Sequence, residues 1–334
     1  MSVYLILWVL DKFINAIFSL LFSRVIRNKI AFTSVRSTFR IGILIFVLAP
    51  YLIALFITHW IKFADIEKPQ SLKENQYSRV EFNASDGAKL KGWFISSQNH
   101  VSDATVVIVP GRSAAKNLFL PYAKIFSENG YNVLLFDLRG NGGSSGHKYS
   151  FAIDEVNDVL GAIDYIQKNK SESGNYIYGY GINEGAAALI GAAAVDERFT
   201  AIICDNVAGY EIAVPDWLDR VLPNWLGKSF VNVTKMFVRV DIGCPILGAE
   251  GIYAKVSQIS PCPVLFSNSI RNSKYNRMKT IELFTRAREP KNLWLPPSSE
   301  DLNAYDQYFV NVFRTFETGK SKQQSGNWRI SKTY

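Results

Sequence analysis

The chain has 334 residues, 48% of them hydrophobic and 13% aromatic, which is enough for a large core and excludes a disordered chain. Its net charge of +8 is unevenly spread: residues 1–62 carry seven Lys/Arg against Asp11 alone, and the tail from Lys320 carries four more with no acid. The part between is slightly acidic, so a nucleic-acid-binding face is excluded.

The first predicted element runs from Val3 to Phe22, about one membrane span long but interrupted by Asp11 and Lys12, which are expensive at a bilayer centre. It reads either as an interfacial amphipathic helix or as a second span with a paired polar centre. Arg24, Arg27, Lys29, Arg36 and Arg40 follow. From Ile41 to Ile61 the chain then has 21 residues without Asp, Glu, Lys or Arg, sufficient to cross roughly 30 Å of hydrocarbon as a helix. Pro50 is tolerated there as a kink, and Trp60 stands where an interfacial anchor belongs. The run is too long and too far from the start for a cleaved signal peptide. The basic segment 23–40 is expected to stay cytoplasmic, which puts the remainder on the periplasmic or extracellular side. Membrane lipid is therefore an expected partner.

After a linker at 63–76, Arg79–Phe82 and Leu90–Ile95 predict a hairpin around Ser85-Asp86-Gly87. Six short apolar runs follow: Thr105–Val109, Asn132–Phe136, Tyr176–Tyr178, Ala201–Cys204, Val264–Phe266 and Asn292–Leu295. Helical patterns lie between most of them, at Ala115–Asn129, Asp154–Lys168, Gly185–Val195 and Asn276–Ala287, with a last one at Ala304–Glu317. This alternation predicts a mostly parallel sheet covered by helices on both faces, within a domain spanning 77–319. The interval of about 207–258, with Trp217 and Trp225, breaks the alternation and reads as an inserted cap; those tryptophans line a ligand or partner surface or else pack in a core. Residues 320–334 form a basic tail. Cys204 reads as a buried hydrophobe, Cys244 and Cys262 as candidates for a disulfide, and no cysteine has metal-ligand spacing. No cofactor or metal is expected.

The motif that carries chemistry is Gly179-Tyr180-Gly181-Ile182-Asn183-Glu184-Gly185, between the run at Tyr176 and an alanine-rich helix. It has the strand-turn-helix context of a nucleophile elbow, with asparagine at the serine position. Val109-Pro110-Gly111-Arg112 and Asp137-Leu138-Arg139-Gly140-Asn141-Gly142-Gly143-Ser144-Ser145-Gly146 accompany it. In this order of elements and motifs, residues 76–318 resemble the α/β-hydrolase superfamily, in particular its membrane-anchored esterase and peptidase-like members. The resemblance implies an oxyanion-hole turn at Gly111-Arg112, a second hole amide at Glu184, an acid at the position of Asn272 and a base at that of Asp301.

None of these three triad positions holds the residue the chemistry needs. The Asn183 amide has no proton to give up and no nucleophilic lone pair; Asn272 cannot orient a base; Asp301 replaces an imidazole. The chain has three histidines, at 59, 100 and 147, and none falls in the last strand-helix loop. They read as interfacial, solvated and loop residues. Asp205, Glu300, Asp301 and Glu184 are candidate carboxylates for acid-base work, with ordinary strand-end loops as the plainer reading. Asp137 and Arg139 read as a structural pair holding the glycine-rich turn.

Three functions are consistent with these residues. The first is a pseudoenzyme, a non-catalytic scaffold or binding protein that kept the hydrolase fold. The second is a hydrolase of ester, thioester or amide bonds using a non-standard constellation. The third is an accessory subunit that meets a protein partner through residues 1–62.

Overall fold

The computed structural model describes residues 3–22, 29–59, 67–69, 72–98, 101–111, 115–170, 173–207, 224–243, 251–268, 274–295 and 308–314. In chain order the elements are α1 (Val3–Phe22), α2 (Lys29–Thr58), β1 (Tyr77–Asn83), β2 (Lys89–Ile95), β3 (Ala104–Val109) and a 3-10 turn (Lys116–Phe119) leading into α3 (Leu120–Glu128). Next come β4 (Asn132–Phe136), α4 (Glu155–Asn169), β5 (Tyr176–Ile182), α5 (Glu184–Ala193) and β6 (Phe199–Asp205). The series closes with α6 (Asn224–Asp241), α7 (Gly251–Val256), β7 (Val264–Ser267), α8 (Lys274–Arg286) and β8 (Lys291–Trp294). Residues 308–314 are helical. The chain divides into two compact units, one containing α1, α2 and α6, the other containing the sheet and the remaining helices.

The strands form one eight-stranded sheet in the order β1-β2-β4-β3-β5-β6-β7-β8. β1 and β2 are antiparallel to their neighbours, and the pairs from β4 to β8 are parallel. Successive side chains of a strand point to opposite faces, so each central strand feeds two cores. Val107 and Val109 enter the core under α4, α5, α7 and α8, while Val106 and Ile108 enter the core under α3 and residues 308–314. Because both faces are covered, β3 and β4 are buried throughout, which is why they read as unbroken apolar runs.

β5 is the exception, with Gly179 and Gly181 on the face that meets α5. A Cβ at Gly179 would come within 2.6 Å of Leu189 Cδ1, and one at Gly181 within 2.6 Å of Ala186 Cα. The glycines, with the small side chains of Ala186, Ala187 and Ala188, let α5 press onto the strand directly before the elbow.

Two elements differ from the sequence reading for identifiable reasons. The helix expected over Ala115–Asn129 is split, because Pro121 cannot donate within a helix and starts a new one; the preceding turn is 3-10. The membrane-like helix begins at Lys29 rather than Ile41. Its basic half is helical because α1 supplies partners: Asp11 pairs with Arg40, Asn15 accepts from Arg36 Nε at 3.0 Å, and the Phe18 ring packs on Phe32 and Phe39. The apolar stretch Phe32–Thr58 is long enough to cross a bilayer, and a signal sequence near an N-terminus has the same character. Of the interval at 207–258, α7 joins the domain core through Ile252 and Val256, and α6 packs along α2.

Candidate functional site

Three parallel strands end side by side, β5 at Ile182, β6 at Asp205 and β7 at Ser267. The C-terminal edge of such a sheet is where loops and helix N-termini converge. Asn183 follows β5 with φ 52° and ψ −118°, a conformation that costs a residue with a Cβ about 1–3 kcal/mol and persists only where its surroundings enforce it. Here they do. The Asn183 N–H donates to the Asp205 carbonyl at 2.9 Å, and its own carbonyl accepts from Ala186 N–H at 3.2 Å. A Cβ on Gly185 would collide with the carbonyls of Val109 and Pro110, and one on Gly111 would lie 2.9 Å from Glu184 Oε2 and 3.1 Å from Asn183 Cβ. The turn at Val109-Pro110-Gly111 is therefore pressed against the elbow.

Asn183 is half-buried and does not use its side chain to cap α5. Glu184 opens that helix, also half-buried, with its carboxylate beside Gly111. The first-turn amides of a helix have no intrahelical acceptor and lie at the positive end of its dipole, so they can polarise a carbonyl oxygen. A carboxylate at the same place favours that dipole too, but opposes charge developing on a bound oxygen.

Beneath the elbow lies a buried polar cluster that the sequence did not reveal. Asp205, read there as an ordinary loop residue, is the buried last residue of β6. It accepts from Ser267 Oγ at 2.5 Å and Tyr180 OH at 3.4 Å. Asn206 takes φ 52° and donates its N–H to the Ser267 carbonyl at 2.8 Å. Asn268 is fully buried and donates to Thr280 Oγ1 at 2.9 Å. The one sequence signal for Ser267 was a polar residue closing an apolar strand. Burial, with Cys262 and Asp205 close by, pushes the Cys204 thiol well above its ordinary value. No cluster of ligating side chains suited to a metal occurs among the described residues.

The glycine-rich loop also corrects an expectation, because Asp137 and Arg139 do not pair with each other. Asp137 takes Lys116 Nζ at 2.7 Å, Lys116 N–H at 2.7 Å and Gly143 N–H at 3.2 Å. Arg139 bonds Asp158 through its backbone N–H and Nε, both at 2.8 Å, and reaches Asp86 at 2.8 and 2.9 Å. Asp137 sits at the end of β4 beside the 3-10 turn, whereas two residues later the chain has turned towards α4.

Of the sites expected from sequence, Asn183 and Glu184 are brought together at the elbow. Arg112, Trp217, Asn272, Glu300, Asp301, His100 and Cys244 lie outside the described residues, and Trp225 falls in α6, in the other unit. His147 is exposed in the glycine-rich loop and His59 is exposed at the end of α2.

An esterase from Pyrococcus furiosus has this arrangement of elements, with a TM-score of 0.55 at 20% identity over 77% of this chain and 96% of that one. The fold is that of the α/β-hydrolases. GrgF, an α/β-hydrolase from Penicillium, superposes with a TM-score of 0.54 at 20% identity, over 72% of this chain and 97% of that one. Residues 100–240 match the family described as serine aminopeptidase, S33. YfhR of Escherichia coli K12 is 24% identical over 242 residues, 70% of this chain and 77% of its own. The thiohydrolase AneE of Aspergillus aculeatus is 32% identical over 157 residues, 45% of this chain and 49% of its own. These matches support the α/β-hydrolase superfamily. In this α/β-hydrolase-fold chain the elbow is held in its strained shape around an amide, Asn183.

Proposed function

We propose that this chain binds an acyl ester or thioester at the elbow and does not form an acyl-serine intermediate. The observation that carries this is Asn183, which sits in the strained elbow conformation at φ 52° with a side chain unable to attack a carbonyl. The first-turn amides of α5 remain where a carbonyl oxygen would be held. The thiohydrolase and esterase relatives support this ligand class, and the apolar helix at Phe32–Thr58 supports attachment to a membrane. In this reading the strained turn is kept for ligand geometry.

A second reading, hydrolysis through an activated water, is favoured by the same hydrolase relatives, since names such as thiohydrolase denote turnover. Glu184, beside Gly111, is the carboxylate positioned to serve it. Three measurements on the purified full chain separate the two: labelling by a fluorophosphonate, turnover of short acyl esters and thioesters, and their binding measured calorimetrically. Binding without labelling or turnover is expected. Turnover lost in Glu184→Gln establishes the second reading instead, and fluorophosphonate labelling of a serine overturns both.

A further inference from the structure

We propose that α1, α2 and α6 form a one-leaflet anchor that lies in the plane of an anionic membrane surface, with α6, from the insertion between β6 and β7, as its polar roof. This rests on the membrane attachment proposed above. The exposed apolar side chains Ile41, Ile45, Leu48, Leu52 and Phe56 recur at intervals of three and four, so they make one stripe along α2. The opposite side of α2 is covered by α6. There Phe46 packs edge-on against Phe230 at 5.7 Å and Tyr51 against Phe237 at 5.5 Å, while Pro50, Ala54 and Ile57 are buried. Both ring contacts advance in chain order, so the two helices run in the same direction.

α6 is two-faced. Phe230, Thr234 and Val238 are buried at intervals of four. Lys228, Ser229 and Asn232 are exposed on the side away from them together with the apolar Met236 and Val240, and Lys235 and Arg239 are half-exposed at its edge. α2 is thus sandwiched between an open apolar side and the underside of a basic helix. If α2 crossed the bilayer along its normal, Lys235, which lies between Phe230 and Phe237, would sit level with Phe46 and Tyr51 in the middle of the apolar run. A cation is expensive there. Laid in the plane, the same pair puts the stripe of α2 among acyl chains and Lys228, Lys235 and Arg239 at the headgroups. α6 carries three cations, Lys228, Lys235 and Arg239, and one acid, Asp241, a composition that suits an anionic lipid surface.

The test uses the full chain in sealed phosphatidylglycerol–phosphatidylcholine vesicles, with a membrane-impermeant maleimide and the unaltered chain as background for the native thiols. An in-plane anchor labels Ser34→Cys and His59→Cys from the same side in the same molecules, and Asn232→Cys reacts without detergent. Labelling of Ser34→Cys and His59→Cys from opposite sides overturns the arrangement while leaving membrane attachment intact. Failure of the chain to float with vesicles overturns both. The triple variant Lys228→Gln, Lys235→Gln, Arg239→Gln is expected to lose vesicle affinity by about fivefold per charge removed, and equal flotation on neutral and anionic vesicles counts against the headgroup assignment. A Leu48→Cys variant that forms an interchain disulfide in vesicles assigns the stripe to a second copy of the chain and overturns its lipid contact.

Discussion

Lys116 Nζ lies 2.7 Å from Asp137 Oδ2, with the two side chains 3% and 0% exposed. This buried pair ties the 3-10 turn before α3 to the glycine-rich loop, because Asp137 also accepts the N–H groups of Lys116 and Gly143. Removing one partner strands the other charge away from water. Asp137→Ala is expected to destabilise the domain by about 3–5 kcal/mol, read as a lower urea midpoint. The double variant Lys116→Met, Asp137→Leu should recover only part of that loss, because the Lys116 and Gly143 N–H groups still lack their acceptor, and full recovery would show that those two bonds contribute nothing.

The elbow strain is measurable. Asn183→Gly allows φ 52° without a Cβ penalty, so this change should stabilise the domain by about 1 kcal/mol after the extra freedom of glycine in the unfolded chain is counted. Gly185→Ala acts in the opposite direction, because its new methyl meets the carbonyls of Val109 and Pro110; a loss of about 1–3 kcal/mol is expected. Denaturant unfolding of both variants checks the pair.

Asn183→Ser alone should give no ester or thioester hydrolysis above that of the unaltered chain. A serine needs an imidazole within hydrogen-bond reach, and the described histidines, His59 and His147, are exposed, the second in the glycine-rich loop. A fluorophosphonate adduct on the hydroxyl introduced by that variant would reveal a base that the sequence does not announce.

Stability should fall as the pH rises from about 4 to about 7. Burial pushes Asp158 up to about 7 despite the hydrogen bonds from Arg139 that favour its charged form, and burial also raises Glu155. The folded chain therefore binds more protons than the unfolded chain between the ordinary carboxylate value and about 7, and it gives up that advantage as the pH climbs through this window. Asp86 and Asp196 work the other way, because Arg139 and Arg198 hold them below their ordinary value; their contribution is lost only as acid falls through the carboxylate range. Urea midpoints at pH 5 and pH 8, compared with those of Asp158→Asn, check this. The difference between the two pH values should shrink in the variant.

Much of the sheet was legible because its strands are buried on both faces and flanked by turn residues, as in Asn132–Phe136. The elbow was legible because its glycines are needed for packing and stand at fixed spacing. The cluster of Asp205, Ser267 and Tyr180 was not, since it joins residues far apart in the chain, and nothing local distinguishes a strand-end aspartate in water from one beneath a neighbouring strand. Arg139 was misassigned for the same reason: Asp137 is near in sequence, while Asp158 and Asp86 are brought near by α4 and the β1–β2 turn. The split of α3 could have been read from Pro121. The contact of α6 with α2 could not, because an amphipathic pattern specifies a face and leaves its partner open.

Cys204 and Cys262 both lie in the core beneath α5 and α7. A thiol that is sealed from solvent and kept protonated by its surroundings does not react with alkylating reagents while the fold is closed. Cys204 thus serves as an internal clock for opening: the rate at which iodoacetamide consumes this sulfur under native conditions reports how often the sheet next to the elbow parts from its helices, without any added label.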